Sequence, residues 1–129
     1  MVAWAADYVG IPYRFGGDSR DGADCWGLAR MILRERFGRD VPAFDHEDGS
    51  PHRLASVVES AMPTIGAERV ERPEPGDLAL LKLHGDPCHV GVVIGDGYMI
   101  HTLGRHDSAL DRPEGPRWAP RLEGYYRVR

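Results

Sequence analysis

The sequence predicts an α+β fold in which N-terminal helices pack on a central antiparallel β-sheet. Apolar residues recur at helical spacing in the first third of the chain, whereas from residue 78 onward they form short strand-like runs separated by turn residues. Helices followed by a series of strands are typical of α+β proteins. A length of 129 residues fits a single domain, and we assign it to residues 1–129.

The first predicted helix is short and ends at Gly10, because Pro12 prevents its continuation. Its apolar face is formed by Val2, Ala5, Ala6 and Val9. The following segment, residues 10–22, is rich in glycine, aspartate and arginine. This composition is typical of a loop with unusual backbone angles.

The second predicted helix runs from about Asp24 to Phe37 and ends at Gly38, which can supply a left-handed stop. Its apolar stripe consists of Cys25, Leu28, Ala29 and Ile32. Either Asp21 or Asp24 can cap the first turn by accepting free backbone amides. This arrangement places Cys25 in the first turn, pointing inward.

The rest of the chain predicts one further helix and four strands. The helix is indicated by Leu54, Val57, Val58 and Ala61, and the remainder of residues 43–75 is interpreted as irregular, without an assigned function. The predicted strands are 78–83, 90–94, 98–101 and 125–128.

Composition and charge exclude several classes of protein. A formal net charge of −4 argues against nucleic acid as the main partner. No apolar run approaches the roughly 20 residues that span a bilayer, so we expect no membrane insertion. The first residues lack the basic and apolar regions of a secretory signal, which predicts synthesis in the cytoplasm without a signal peptide.

The chain has two cysteines, and Cys25 is the candidate nucleophile. Two cysteines without a CxxC pair favour reduced thiols over a disulfide framework. A helix N-terminus and a nearby imidazolium both lower the pKa of a thiol. The alternative is that Cys25 is a small buried hydrophobic residue. Cys88 is interpreted as buried rather than catalytic.

Two histidines, His89 and His101, flank the turn at residues 95–97. A three-residue loop pairs Gly91 with His101 and leaves His89 diagonal to it on the same face of the hairpin. We expect this face to be an open site against the helix that carries Cys25, where one imidazole deprotonates the thiol and the other orients the first. The alternative is that each histidine is structural.

Other chemistries find less support. A zinc site is the main rival, and its ligands would come from Cys25, Cys88, His89, His101 and His106. The chain lacks CxxC and HExxH, and adjacent strand residues point to opposite faces, so we expect no metal and no cofactor. Neither a phosphate-binding loop nor a GxSxG motif is present.

The remaining polar and aromatic candidates have commoner structural uses. Asp86 and Asp96 flank the strand of His89 and could orient a histidine, although solvated turn aspartates are more common. The histidines assigned to the surface are His46, His52, His84 and His106. Core packing or an aromatic wall of the cleft is expected for Trp4, Trp26 and Trp118.

The order and spacing of five segments resemble the NlpC/p60 cell-wall peptidases, a papain-like family. These segments are YVGIPYRFGG at 8–17, GADCWGL at 22–28, PGDL at 75–78, HVGVVIG at 89–95, and His101. The resemblance implies that Cys25 is the nucleophile, His89 the general base and His101 the residue that orients it. It also implies that Tyr13 lies beside the nucleophile and helps the Cys25 amide to stabilise the oxyanion.

The same resemblance implies peptidoglycan stem peptides as substrate, cut between D-glutamate and the diamino acid. Trp26 stands where the family usually has a serine that recognises the stem peptide, and Asp24 is retained, so we assign both to substrate binding. The variant Asp-Cys-Trp-Gly-Leu is most similar to stand-alone members encoded among phage tail genes. This similarity implies delivery to the cell wall by a tail, or after release, with tail proteins as partners.

Two other functional classes remain as alternatives. One is a catalytically silent structural component of a tail. The other is a cysteine amidase or acyltransferase that acts on a substrate other than peptidoglycan, because the same cysteine chemistry serves any acyl transfer.

Overall fold

The computed structural model describes residues 2–43 and 51–129, with only the backbone described for residues 51–54 and 57. The helices in this part of the chain are a 3-10 helix at Ala3–Tyr8, α1 at Cys25–Phe37, α2 at Pro51–Thr64 and a second 3-10 helix at Ala119–Arg121. The strands are β1 at Asp18–Ser19, β2 at Gly22–Ala23, β3 at Glu68–Val70, β4 at Leu78–Leu83, β5 at Asp86–Gly95, β6 at Tyr98–His101, β7 at Ala109–Asp111 and β8 at Leu122–Arg127.

Six of these strands form one sheet in the order β3-β8-β4-β5-β6-β7. Every neighbouring pair in this sheet is antiparallel. The short strands β1 and β2 pair with each other just before α1. The predicted α+β architecture, with N-terminal helices on an antiparallel sheet, is confirmed.

Helix α1 begins and ends as its sequence predicts. Of the two candidate caps, Asp24 is the one used, because its carboxylate accepts a hydrogen bond from the backbone N–H of Gly27 at 2.8 Å. At the other end Gly38 adopts a left-handed conformation with φ of 62°. Cys25 is therefore the first residue of the helix.

The sheet is buried on both faces at β5. On one face Val90, Val92 and Ile94 pack against the apolar stripe of α1, in the larger core cluster. The residues between them point to the opposite face, where Val93 belongs to a second cluster. The other buried members of that cluster are Ala79, Leu81, Met99, Trp118 and Tyr125. The alternation along β5 therefore separates two buried environments.

Several elements differ from the sequence predictions. The first helix is a single 3-10 segment, with hydrogen bonds from residue i to i−3 such as Ala5 N to Val2 O. Strand β3 falls in the stretch interpreted as irregular, and β7 falls in a stretch to which the sequence assigns no element, since three residues are too few to show a period. The helix predicted around Val58 is present as α2. No helix within residues 2–43 and 51–129 is long and apolar enough to cross a membrane.

Because Gly27 has no side chain, the backbone of the glycine-rich loop can pack directly against the first turn of α1. A Cβ atom at this position would lie 1.9 Å from the carbonyl oxygen of Gly17. We expect Gly27→Ala to lower the free energy of unfolding by at least about 1–3 kcal/mol, because the backbone of one element must move. Urea unfolding measures this change.

The matched control is Gly104→Ala, because a Cβ atom at Gly104 meets nothing within 4 Å. We expect this variant to unfold at the same urea concentration as the unmodified protein. Equal stability of the two alanine variants would show that the loop does not depend on the close approach at Gly27.

Candidate active site

Cys25 lies at the N-terminus of α1 and is partly buried. Burial raises the pKa of its thiol to about 12, while the backbone N–H groups of Val90 and Trp26 act in the opposite direction. The resting side chain is therefore a neutral thiol beside amides that favour the thiolate. Val90 follows His89 in β5, so the thiol lies next to the strand that carries the candidate base.

Tyr13 lies beside Cys25, as the family resemblance implies. A bridge between Tyr13 and Ala23 ties its backbone to the chain two residues before the cysteine. Burial raises the pKa of the Tyr13 hydroxyl, and negative charge on Cys25 or Asp24 raises it further. Tyr13 therefore keeps its proton at neutral pH and can donate it in a hydrogen bond.

The two residues assigned to substrate binding, Asp24 and Trp26, both have structural contacts. One carboxylate oxygen of Asp24 caps α1, and the other accepts a hydrogen bond from the backbone N–H of Gly16 at 2.9 Å. Trp26 is buried in the larger core cluster, and its indole N–H donates to the carbonyl of Pro42 at 2.9 Å. This burial favours core packing for Trp26, and substrate binding by either residue stays a prediction.

His89 and His101 lie on one face of the sheet and form a hydrogen bond. The distance between His89 Nε2 and His101 Nδ1 is 2.8 Å. The predicted strand register is confirmed, since Val92 pairs with Ile100. A Cβ atom at Gly91 would lie 2.6 Å from the sulfur of Met99 and 3.3 Å from His101 Cβ, so a larger residue at this position would force the Met99 side chain to shift.

The predicted open face around these histidines is wrong. His89 and His101 are only 2% and 5% exposed, and they lie on the sheet face opposite the one covered by α1. The reason is Trp118, whose ring stacks on His89 at 5.6 Å between centroids and meets His101 edge-on at 5.3 Å. Trp118 therefore covers the face that carries the histidines, while the Cys25 thiol contacts the backbone of β5 at Val90.

A carboxylate that the sequence did not single out completes the cluster. Asp111 Oδ2 lies 3.3 Å from His101 Nε2 and accepts a hydrogen bond from Trp118 Nε1 at 2.7 Å. The carboxylate in contact with His101 is thus on β7. Strand β7 is too short to show an alternation of apolar and polar residues. Seven residues separate it from β6, so no short turn predicts that the two strands pair.

This chain of contacts assigns the proton positions on both imidazoles. Because Asp111 accepts, His101 carries its proton on Nε2 and presents an unprotonated Nδ1. His89 must then donate from Nε2, which leaves its Nδ1 as a free base. Burial lowers the pKa of both histidines, that of His89 to about 3, so both rings are neutral at physiological pH.

The lowered pKa of His89 predicts acid sensitivity of folding. In the unfolded chain the imidazole takes up a proton as the pH falls below about 6.5, whereas in the folded protein it resists protonation down to about 3. Stability contributed by neutral His89 is therefore present above pH 6.5 and lost as the pH falls toward 3. We expect a loss of about 3 kcal/mol between pH 7 and pH 4, measured by urea unfolding.

His89→Gln removes this titration, and its free energy of unfolding should depend less on pH over the same range. His106→Gln is the matched control, because His106 is exposed. Its pH dependence should equal that of the unmodified protein. An unchanged pH dependence in His89→Gln would contradict the assignment.

Of the other polar candidates, His106 lines the same surface pocket as His101 and Asp111. His84 and His106 are exposed, as predicted, whereas His46 lies outside the described residues and the side chain of His52 is not described. Cys88 is buried. Among the side chains described, no group of three or more histidine, cysteine, aspartate or glutamate residues could hold a metal ion.

The fold and the site together define the class of protein: an α+β domain in which Cys25 begins the helix that packs on β5, the strand that carries His89. Residues 10–127 match the NlpC/P60 family, and the chain belongs to this family.

Two curated relatives illustrate the relationship. The chain is 29% identical to murein DD-endopeptidase MepS/murein LD-carboxypeptidase of Escherichia coli K12, over 95% of this chain and 58% of that protein. It is 30% identical to a probable endopeptidase of Mycobacterium tuberculosis, over 79% of this chain and 22% of the relative. The chain thus spans only part of the length of these relatives.

Solved structures share the fold. An NlpC/P60 family protein from Bacillus cereus superimposes with a TM-score of 0.68 and 24% identity, over 94% of this chain and 36% of that chain. The NlpC/p60 domain of the peptidoglycan hydrolase SagA gives a TM-score of 0.62 and 23% identity, over 99% and 94% of the two chains. The second match covers almost the whole of both chains.

Proposed function

We propose that this protein is a cysteine peptidase that hydrolyses peptide bonds in bacterial peptidoglycan. The observation that carries the proposal is the 2.8 Å hydrogen bond from His89 Nε2 to His101 Nδ1, which leaves His89 Nδ1 as a base on the strand beside the Cys25 thiol. Membership of the NlpC/P60 family, whose members compared above include murein endopeptidases, supports peptidoglycan as the substrate.

In the proposed mechanism Cys25 transfers its proton to His89 Nδ1 as its sulfur attacks the scissile carbonyl. The tetrahedral oxyanion accepts hydrogen bonds from the Cys25 amide and the Tyr13 hydroxyl. His89 then protonates the leaving amine, which yields an acyl-enzyme. Water, deprotonated by His89, hydrolyses the thioester and regenerates the thiol. Because the resting thiol is neutral, His89 acts as a general base during the attack.

Two bonds of the stem peptide are candidates. The family resemblance of the motifs supports the bond between D-glutamate and the diamino acid. The relationship to an E. coli protein named as a murein DD-endopeptidase and LD-carboxypeptidase supports a DD or LD bond instead. We favour the first, because the resemblance extends through all five motif segments.

The site of action follows from the substrate. We propose that the protein works at the cell wall and reaches it as part of a phage tail or after release from a cell. The motif Asp-Cys-Trp-Gly-Leu at residues 24–28 supports this delivery. A tail component without activity and an acyl-transferring enzyme with another substrate remain the competing functions.

The test is digestion of purified peptidoglycan and of defined stem peptides, with products identified by mass spectrometry. We expect fragments that end in D-glutamate, and none after the protein has been treated with iodoacetamide. Fragments cut at a DD or LD bond instead would move the assignment to the second candidate. Intact stem peptides after incubation with folded, reduced protein would leave the silent component or another substrate as the function.

A further inference from the structure

We propose that Asp111 and Trp118 are positioning residues that hold His89 in its active tautomer through His101. The inference rests on the proposed roles of Cys25 as nucleophile and His89 as base. It extends the histidine pair to a relay of four side chains, defined as His89, His101, Asp111 and Trp118, of which only Asp111 is partly exposed.

Strand pairing places Asp111 on the same face as His101. In the β6–β7 ladder His101 pairs with Ala109, and Asp111 pairs with Met99, so Asp111 is the diagonal neighbour of His101. The resulting separation of 3.3 Å between His101 Nε2 and Asp111 Oδ2 is within reach of an ion pair or a hydrogen bond. The short edge strand β7 thus places the Asp111 carboxylate as a hydrogen-bond acceptor for His101 Nε2.

The Asp111 carboxylate is locked in orientation by two further donors. Its Oδ1 accepts from the backbone N–H of Arg112 at 2.9 Å, and its Oδ2 accepts from Trp118 Nε1 at 2.7 Å. Burial alone would raise the pKa of Asp111, but these bonds and the contact with His101 outweigh it and lower the pKa. The group is therefore ionised at neutral pH and acts only as an acceptor.

Trp118 has a second role in the relay, because its ring covers both imidazoles. The side chain is 2% exposed and contacts His89 by stacking and His101 edge-on. Exclusion of water strengthens a buried hydrogen bond and limits exchange between tautomers. One residue thus both shields the histidine pair and anchors the carboxylate behind it.

The relay matters at the step where His89 takes the proton of Cys25. The proton moves from Sγ to His89 Nδ1, and His89 keeps its Nε2 proton in the bond to His101. The imidazolium formed in this way is stabilised through the polarised bonds to His101 and the negative charge of Asp111. Without Asp111, His101 can adopt the tautomer with its proton on Nδ1. His89 Nε2 would then accept that proton in the hydrogen bond, and His89 would carry its own proton on Nδ1, the nitrogen that must accept from the thiol.

The first test compares Asp111→Ala with Glu114→Ala. Glu114 accepts a hydrogen bond from Tyr125 at 2.7 Å, and Tyr125 belongs to the same buried cluster as Trp118. The control therefore removes a similar carboxylate from the same side of the sheet without touching a histidine. Three quantities are measured: kcat and KM on a stem peptide, the rate of Cys25 alkylation by iodoacetamide against pH, and the histidine tautomers by ¹⁵N NMR.

For Asp111→Ala we expect kcat to fall about 10- to 100-fold with KM little changed, the range known for carboxylates that orient metal-bound histidines. Alkylation near pH 7 should slow to a similar extent, and the NMR spectra should show protonation at His89 Nδ1. Glu114→Ala should match the unmodified protein in all three. Unchanged tautomers and alkylation in Asp111→Ala would overturn the proposal.

Added formate provides a rescue that a purely structural role would not show. A surface pocket of about 240 Å³ is lined by His101 and Asp111, so a small carboxylate can reach the gap left by alanine. We expect formate, but not chloride at equal ionic strength, to restore at least part of the lost alkylation rate. Failure of formate in a folded Asp111→Ala variant would count against the relay.

Trp118→Phe is the second variant if Asp111→Ala does not fold. It keeps an aromatic ring over the histidines and removes only the donor to Asp111, so we expect a smaller loss in the same direction. Tyr125→Phe is its matched control, because it also deletes one hydrogen bond to a carboxylate. Alkylation and NMR need no substrate, so a relay that fails these tests is distinguishable from a wrong substrate assignment.

Discussion

Replacement of Cys25 with alanine should reduce the rate of stem-peptide cleavage by about 10⁴-fold or more, because loss of a nucleophile leaves only binding and oxyanion contacts. In the proposed mechanism the sulfur of Cys25 is the atom that forms the acyl-enzyme, and alanine has no group that can replace it. Product formation followed by mass spectrometry measures the loss. Trapping of an acyl-enzyme in the unmodified protein, and its absence in Cys25→Ala, would identify the intermediate.

Cys88→Ala is the matched control for this variant, since Cys25 and Cys88 are the only cysteines in the chain. Cys88 is buried in β5, so its replacement can lower stability, but activity of the folded fraction should persist. Loss of cleavage in Cys88→Ala with full activity in Cys25→Ala would reverse the assignment of the nucleophile.

The second large effect concerns His89. We expect His89→Gln to lower kcat by about 10²- to 10⁴-fold, the contribution typical of a general base. Glutamine can still form a hydrogen bond to His101, but it cannot accept the thiol proton. Alkylation of Cys25 by iodoacetamide should slow at neutral pH and recover at high pH, where hydroxide deprotonates the thiol directly.

His106→Gln again serves as the matched control and should behave as the unmodified protein, because His106 is exposed. A variant with Gln at residue 89 that retains full alkylation at neutral pH would show that another group, or the helix N-terminus alone, activates the thiol. The two variants distinguish the role of Cys25 from that of His89. Only Cys25→Ala removes the sulfur that iodoacetamide alkylates, whereas His89→Gln keeps the sulfur and slows its reaction.

Much of this architecture could be predicted from local patterns. The start of α1 depends on an aspartate cap, a short-range hydrogen bond from Gly27 to Asp24, and its end depends on a glycine in the left-handed region. The pairing of β5 with β6 follows from the short turn between them, which fixes the register and places His89 and His101 on one face. Features that depend on residues close together in the chain can therefore be predicted from the sequence alone.

The burial of His89 and His101 could not be predicted from such local patterns. Alternation along β5 indicates two faces, but it does not show that α1 takes the valine face while Trp118 covers the other. Trp118 lies 29 residues after His89, and the contact between them depends on how β7 and the second 3-10 helix fold back over the sheet. Because Trp118 lies in a segment without helical or strand periodicity, the sequence does not indicate which face of the sheet its ring covers.

The family, the fold class and the paired histidines thus follow from motif order and from short-range chemistry, in which each residue constrains a neighbour a few positions away. The burial of the site, the Asp111 carboxylate and the tautomer of His89 follow from contacts between separate segments. Such contacts depend on the packing of the whole sheet, and a three-residue strand such as β7 acquires its place only by pairing with β6. Long-range packing therefore sets the protonation of His89, whereas local sequence places Cys25 at the start of α1.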